Sequence, residues 1–288
     1  MRADTDHRGQ PKTLRPVRPN AGVEAGYRRK LDALIAEMNR SLVYWLTAAY
    51  RQNEPELAQD APPPPDAGGY EPKPEPRRES PAVAMRRRMR RLARQWQTRF
   101  DEAAPELAKY FATAAANRSD AALKSILKKA GFAVEFKMTR ATNDVLQATI
   151  GENVSLIRSI ASQHLTQVEG AVMRSVQAGR DLSSLSEELQ RQYGVTKRRA
   201  ALISLDQNNK ATASIQRVRQ IELGITRAVW IHSGGGKTQR PSHVKAGRER
   251  QQYDIREGWF DPDVQKYIVP GELVGCRCVS RPVVPGFS

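Results

Sequence analysis

Nine of the chain's 18 prolines fall between residues 53 and 82, four of them consecutive from Pro62 to Pro65. Proline has no backbone N–H and a fixed φ, so neither a helix nor a central strand can run through such a stretch. Residues 53–82 therefore read as a Pro-rich linker or a long exposed loop, and the chain must organise on either side of it. On the N-terminal side, residues 1–20 are polar, basic and Pro-containing, the composition of a disordered basic arm. Residues 21–52 differ: Tyr27, Leu31, Leu34, Ile35, Met38, Leu42, Trp45 and Leu46 recur at helical spacing. This predicts an N-terminal amphipathic helix whose apolar stripe needs a partner, in the chain or on another protein.

Beyond the linker, residues 83–224 read as a helical domain. Met85, Met89, Leu92, Trp96 and Phe100 mark a first helix, and Leu107, Tyr110, Phe111 and Ala114 a second. Ser119 caps a third that Gly131 closes. Phe132, Val134, Phe136 and Met138 alternate with Ala133, Glu135, Lys137 and Thr139, which predicts a strand at 132–139 with one buried face. Val154–Ala178 forms a long helix. Ser184 and Glu187 have capping-box spacing for another, ending near Gly194, and Thr196–Leu223 forms the last, stopped by Gly224. Residues 225–288 carry a short strand at 227–233, a glycine turn and frequent Pro, Gly and aromatic residues, the pattern of a small α+β module. The fold class is mainly α, with long amphipathic helices and a small C-terminal α+β module.

The 288 residues carry a formal net charge of +16. Such an excess favours a polyanionic partner and says nothing of fold. It is concentrated: Arg77–Phe100 holds nine arginines and one acidic residue, Glu79. Arg86, Arg87, Arg88, Arg90, Arg91 and Arg94 are the candidates for contact with nucleic acid or an acidic partner, set against a plain solvated basic face. No apolar run approaches the roughly 20 residues that span a bilayer, so no membrane role is expected. The first 19 residues lack the apolar core of a secretory leader. The only cysteines, Cys276 and Cys278, are too close for an unstrained disulfide, which excludes a disulfide scaffold and points to a reducing compartment.

Few residues carry recognisable chemistry. Gly234-Gly235-Gly236-Lys237-Thr238 fails as a phosphate loop, because the glycine required five residues before Gly236 is Ile231. Cys276 and Cys278 with His243, and with His232 as a further candidate, could offer thiolate and imidazole ligands to a structural zinc. No fourth ligand is obvious; Asp261 and Asp263 are candidates. Beside that reading stands the commoner one, two small packed side chains next to a demanding turn. A catalytic Cys–His pair lacks a third group to orient the histidine. His164 lies on the apolar side of its helix, as a core histidine does, and His7 falls in the basic arm. The polar row Asp206-Gln207-Asn208-Asn209 is explained by helix–helix hydrogen bonding.

The order of several fragments between residues 151 and 285 resembles the phage head morphogenesis, or Mu protein F-like, minor head proteins of tailed bacteriophages. Asn153-Val154-Ser155-Leu156-Ile157 opens a long helix. Ala178-Gly179-Arg180-Asp181-Leu182 resembles that family's helix-ending glycine and next helix, and Arg199-Ala200-Ala201 its Arg-Ala helix. Val229-Trp230-Ile231-His232-Ser233 resembles its following strand. His243 and Gly247 match its His-x-x-x-Gly, Pro270-Gly271 its Pro-Gly, and Cys276-Arg277-Cys278 its terminal Cys-Arg-Cys. Where many relatives carry further cysteines or acidic residues, this chain has Lys237, Thr238, Gln239 and Arg240.

The resemblance implies a non-enzymatic minor capsid protein, inside the virion near the portal and in the host cytoplasm during assembly. Its implied partners are the portal protein, the major capsid protein and double-stranded DNA held by non-specific phosphate contacts. The alternatives are a metal-dependent nuclease or hydrolase using His243, Cys276, Cys278 and an acidic residue, or a DNA-binding accessory factor with no capsid role.

Overall fold

The computed structural model describes residues 11–52, 80–179, 182–235 and 238–284. Most of the expected linker, the first half of the arm with His7, and Lys237 lie outside these. In chain order the elements are β1 (Lys12–Thr13), α1 (Ala21–Gln52), α2 (Pro81–Lys129), α3 (Arg140–Gln177), α4 (Leu182–Glu222), β2 (Arg227–Ile231), α5 (Pro241–Arg248), β3 (Gln252–Asp254), β4 (Trp259–Asp261), β5 (Lys266–Ile268) and β6 (Val279–Val284). The class is mainly α with a small C-terminal α+β module. No helix among the described residues is long and apolar enough to cross a membrane.

Three of the long helices start where local chemistry sets them. Asn20 Oδ1 accepts the Val23 N–H at 3.1 Å and caps α1. Ser80 Oγ accepts the Val83 N–H at 3.3 Å, with Pro81 in the first helical position, where its missing donor is harmless. Thr139 Oγ1 accepts the Thr142 N–H at 3.1 Å and caps α3.

Three expected helices merge into α2. Phe100, Ala104, Ala108, Phe111 and Ala115 continue one buried stripe across Pro105. Burial of that stripe outweighs the roughly 3 kcal/mol a helix loses at an internal proline. Ser119 does not cap: it is buried, and it accepts two hydrogen bonds from the Gln216 amide, at 3.1 Å through its carbonyl and 2.7 Å through its hydroxyl. Likewise α4 starts at Leu182, ahead of Ser184, and runs unbroken through Gly194.

The helices pass through two compact units. One contains residues 30–104 and 156–200. Its core is the stripe expected of α1, from Leu31 to Leu46, with Met85, Met89, Leu92, Trp96 and Phe100 of α2, Ile157, Ile160 and Leu165 of α3, and Leu185 and Leu189 of α4. Trp96 donates to Ser41 at 3.0 Å, Arg158 pairs with Asp101 at 3.1 Å, and Arg199 donates to Ser159 at 2.9 Å. The α1 stripe is therefore covered within the chain, apart from Trp45, which is 41% exposed and carries the Arg88 guanidinium over its ring.

His164 is buried in this unit, 2% exposed. Thr196 Oγ1 donates its own proton to the Gln192 carbonyl, so the 2.8 Å contact between Thr196 Oγ1 and His164 must be donated by His164 Nδ1–H. Nε2 then carries a lone pair with no polar partner among the described residues. Burial holds the imidazole neutral and lowers its pKa to about 4. The unfolded chain protonates near pH 6.5, so stability is full above that pH and falls by about 1.4 kcal/mol per unit as pH drops towards 4. Comparing His164→Gln with the wild type by denaturant unfolding across this window should show the slope reduced; equal slopes would contradict the assignment.

The other unit contains the described residues before 30, residues 105–155, and those from 201 onward. Its sheet has the antiparallel order β1-β6-β2-β3, and β4 and β5 form a separate hairpin. Leu14, Val17, Leu123, Leu127, Ile225, Trp230, Tyr253, Ile268, Cys276 and Cys278 share one core. Two expectations are corrected here. Residues 12–17 are not part of a disordered arm, because β1 pairs with Val283 and Val284 and buries Leu14 and Val17. The module is accordingly not confined to 225–288.

Residues 132–139 are extended but form no strand ladder. Phe132, Val134 and Phe136 do turn inward as the alternation requires, while Met138 stays 62% exposed. The segment is held by side chains instead. Arg219 donates to the Lys137 carbonyl at 2.8 Å and lies 4.9 Å over the Phe136 ring, and Thr139 donates to Glu222.

Candidate metal centre

Three segments far apart in sequence bring the expected ligands together. The end of β2 delivers His232, the first turns of α5 deliver His243, and the approach to β6 delivers Cys276 and Cys278. In Cys276-Arg277-Cys278 the cysteines are buried and Arg277 is exposed, as extended backbone with a two-residue side-chain period dictates. His243, Cys276 and Cys278 place their ligating atoms within 4.8 Å of one another. His243 Nδ1 lies 3.5 Å from Cys276 Sγ and 3.8 Å from Cys278 Sγ. His232 Nδ1 lies 3.4 Å from Cys278 Sγ.

Asp261, fully buried at the end of β4, accepts from His243 Nε2–H at 3.1 Å. Its other oxygen accepts the Asp263 N–H at 2.9 Å. The carboxylate fixes the tautomer: Nε2 carries the proton, and Nδ1 turns its lone pair to the sulfurs. Asp261 is thus a supporting group behind His243. Asp263 is engaged at the start of α5, where it accepts the Ser242 N–H at 3.1 Å.

His243 Nδ1 approaches both sulfurs and His232 Nδ1 approaches that of Cys278. A hydrogen bond from Cys278, the largest cause, draws the Cys276 thiol well below the ordinary range. The aromatic wall is Trp230, fully buried, whose ring meets His243 edge-on at 4.9 Å and Trp259 at 5.2 Å.

The glycines of the motif explain the convergence. A Cβ on Gly247 would stand 2.3 Å from His232 Cβ and 2.9 Å from its backbone nitrogen. Only glycine lets α5 approach the end of β2 so closely, and His-x-x-x-Gly thereby brings both histidines to one place. Gly247→Ala is expected to cost about 2–3 kcal/mol through forced backbone displacement; an unchanged denaturation midpoint would contradict this. Gly271 sits at φ +90°, with an added Cβ 2.9 Å from Ala213 on α4.

The polar row on α4 does more than join helices. Gln207 bonds Asn153 and Glu152 on α3, at 2.9 and 2.8 Å. Asp206, however, accepts the Gly275 N–H at 2.6 Å, Asn209 donates to the Cys276 carbonyl at 3.2 Å, and Asn208 donates to the Asn20 carbonyl at 3.1 Å. Two of the four residues thus hold the cysteine loop itself. Asn153 also accepts from Tyr27 Oη at 3.0 Å, and Ala200 is buried.

The arginine candidates lie on α2. Arg86, Arg87, Arg90, Arg91 and Arg94 are exposed, and Arg88 stacks 5.1 Å over the Trp45 ring. Residues 80–100 contain no Asp or Glu. The pairs Arg86/Arg90, Arg87/Arg91 and Arg90/Arg94 are like charges one turn apart, each costing the helix about 0.2–0.5 kcal/mol.

Residues 166–281 match the family described as Phage Mu protein F like protein. The chain is also 24% identical over 282 residues to an uncharacterized protein of Haemophilus influenzae, a match covering 97% of this chain and 57% of that protein. The chain thus spans little more than half the length of this curated relative. No solved structure matches.

Proposed function

We propose, for a chain whose residues 166–281 match the Mu protein F-like family, that it is a structural component of a tailed-phage head, acting in head assembly beside the portal on the inner capsid surface. The observation that carries this reading is the extent of the family match, which runs from within α3 to β6 and includes the whole His/Cys cluster. In this reading the cluster is a structural support, and the chain is not an enzyme. The exposed arginines of α2 meet packaged DNA through its phosphates, independently of sequence. They fit that task because their mutual repulsion is a cost to the helix that a polyanion relieves. Counting against a nuclease, His243 and Asp261 are 3% and 0% exposed, so neither reaches a phosphodiester.

The test is composition. Phage particles assembled in the host should contain the chain both before and after DNA packaging, as read by mass spectrometry of purified proheads and filled heads. Its absence from both would overturn the proposal.

A further inference from the structure

We propose that Cys276 and Cys278, with His243 and His232 ligating through Nδ1, form a closed tetrahedral zinc site that pins β2, α5 and the approach to β6 to one another. This goes beyond the head-protein reading and does not depend on it.

The first argument is distance. With Zn–S near 2.3 Å and Zn–N near 2.0 Å, a tetrahedron has S···N edges of about 3.5 Å. The His243–Cys276, His232–Cys278 and His243–Cys278 separations are 3.5, 3.4 and 3.8 Å. His243, Cys276 and Cys278 form the tight triad, mutually within 4.8 Å; His232 stands outside that triad, 3.4 Å from Cys278 Sγ, and swings in from that side when zinc binds to take the fourth corner.

Tautomers supply the second argument. Gln239 Nε2 donates to the Gly234 carbonyl at 3.2 Å, which leaves its Oε1 to accept from His232 Nε2–H at 3.3 Å. Asp261 does the same for His243 at 3.1 Å. Both imidazoles are therefore held with the proton on Nε2 and an Nδ1 lone pair facing sulfur, the pattern by which outer carboxylate or amide acceptors orient metal-bound histidine.

The third is the ligand set. Two soft and two imidazole ligands in a tetrahedron select zinc over calcium or magnesium. Two ligands one residue apart on β-like backbone, with Gly247 clearing the way for His232, make the cluster a built convergence of three chain segments.

Full-length protein purified under reducing, chelator-free conditions should carry one zinc per chain by inductively coupled plasma mass spectrometry. Stripped protein titrated with cobalt(II) should develop the thiolate charge-transfer and intense visible bands of a tetrahedral S2N2 site. Asp261→Asn should weaken zinc binding roughly 10- to 100-fold, as loss of an outer partner does, and His232→Ala should weaken it and alter the cobalt spectrum. Zinc below stoichiometry after reconstitution, with both thiols reacting equally fast with and without zinc, would overturn the site. An unchanged cobalt spectrum in His232→Ala would overturn the fourth ligand. The zinc content and thiol reactivity of the wild-type chain decide the matter even where a variant fails to fold.

Discussion

Arg219→Ala is expected to destabilise the chain by about 3–5 kcal/mol, the range for breaking a buried ion pair from one side. The Arg219 side chain is 3% exposed. Its Nε and Nη2 grip Asp120 at 2.9 and 2.7 Å, and its Nη1 reaches Glu222 at 2.9 Å and the Lys137 carbonyl at 2.8 Å. Truncation strands two carboxylates and releases the extended 132–139 segment from α4. Because the uncompensated charge causes much of the loss, Arg219→Met combined with Asp120→Leu should recover part of it. Denaturant unfolding of the single and double variants checks both statements; a loss below about 1 kcal/mol for Arg219→Ala would contradict the role.

Converting Arg86, Arg87, Arg90, Arg91 and Arg94 to Gln should abolish most DNA affinity while leaving the fold intact. Each phosphate contact contributes about 0.9 to the slope of log affinity against log salt, so five lost contacts flatten it by about 4.5. A slope of that size corresponds to roughly 10²–10³ in affinity between 50 and 200 mM salt. Arg88 is left in place because it covers the Trp45 ring. The repulsive pairs Arg86/Arg90 and Arg90/Arg94 disappear with these changes. An unchanged salt slope would show that these arginines do not meet phosphate.

What the sequence made legible was governed by periodicity. The stripes of α1 and of the Arg-rich start of α2 lie buried as the 3.6-residue repeat requires, except at Trp45, and β2 forms at 227–231, within the strand expected at 227–233. Breaks between helices were misread for one physical reason: Ser119, Ser184 and Gly194 are local stop or start signals, and continuous buried stripes overrode them. The strand expected at 132–139 failed differently. Alternation reports which side faces the core, and it did so correctly for Phe132, Val134 and Phe136. It cannot report whether a neighbouring strand exists to pair with.

At the site, Cys276, Cys278 and His243 were legible as ligand types, and His232 as a further candidate. Asp261 and Asp263 were candidates for a fourth ligand because carboxylates can bind metal, yet one buttresses His243 and the other holds α5. Their roles depend on the β4–β5 hairpin, which no local signal reveals. Gln239 carried no signal either, and Asn209 was legible only as part of a polar row joining helices, since a neutral amide declares its role only through its partners. Arg219 was likewise hidden within a basic helix and is distinguished by burial alone.

The most direct test of the head-protein reading is co-expression of this chain with a portal ring and major capsid protein, followed by affinity purification at moderate salt with nuclease present. Retention of the chain on the assembled portal or capsid after nuclease digestion is the predicted result. Release of the chain by nuclease, or failure to associate with or without it, would contradict a direct place in the head.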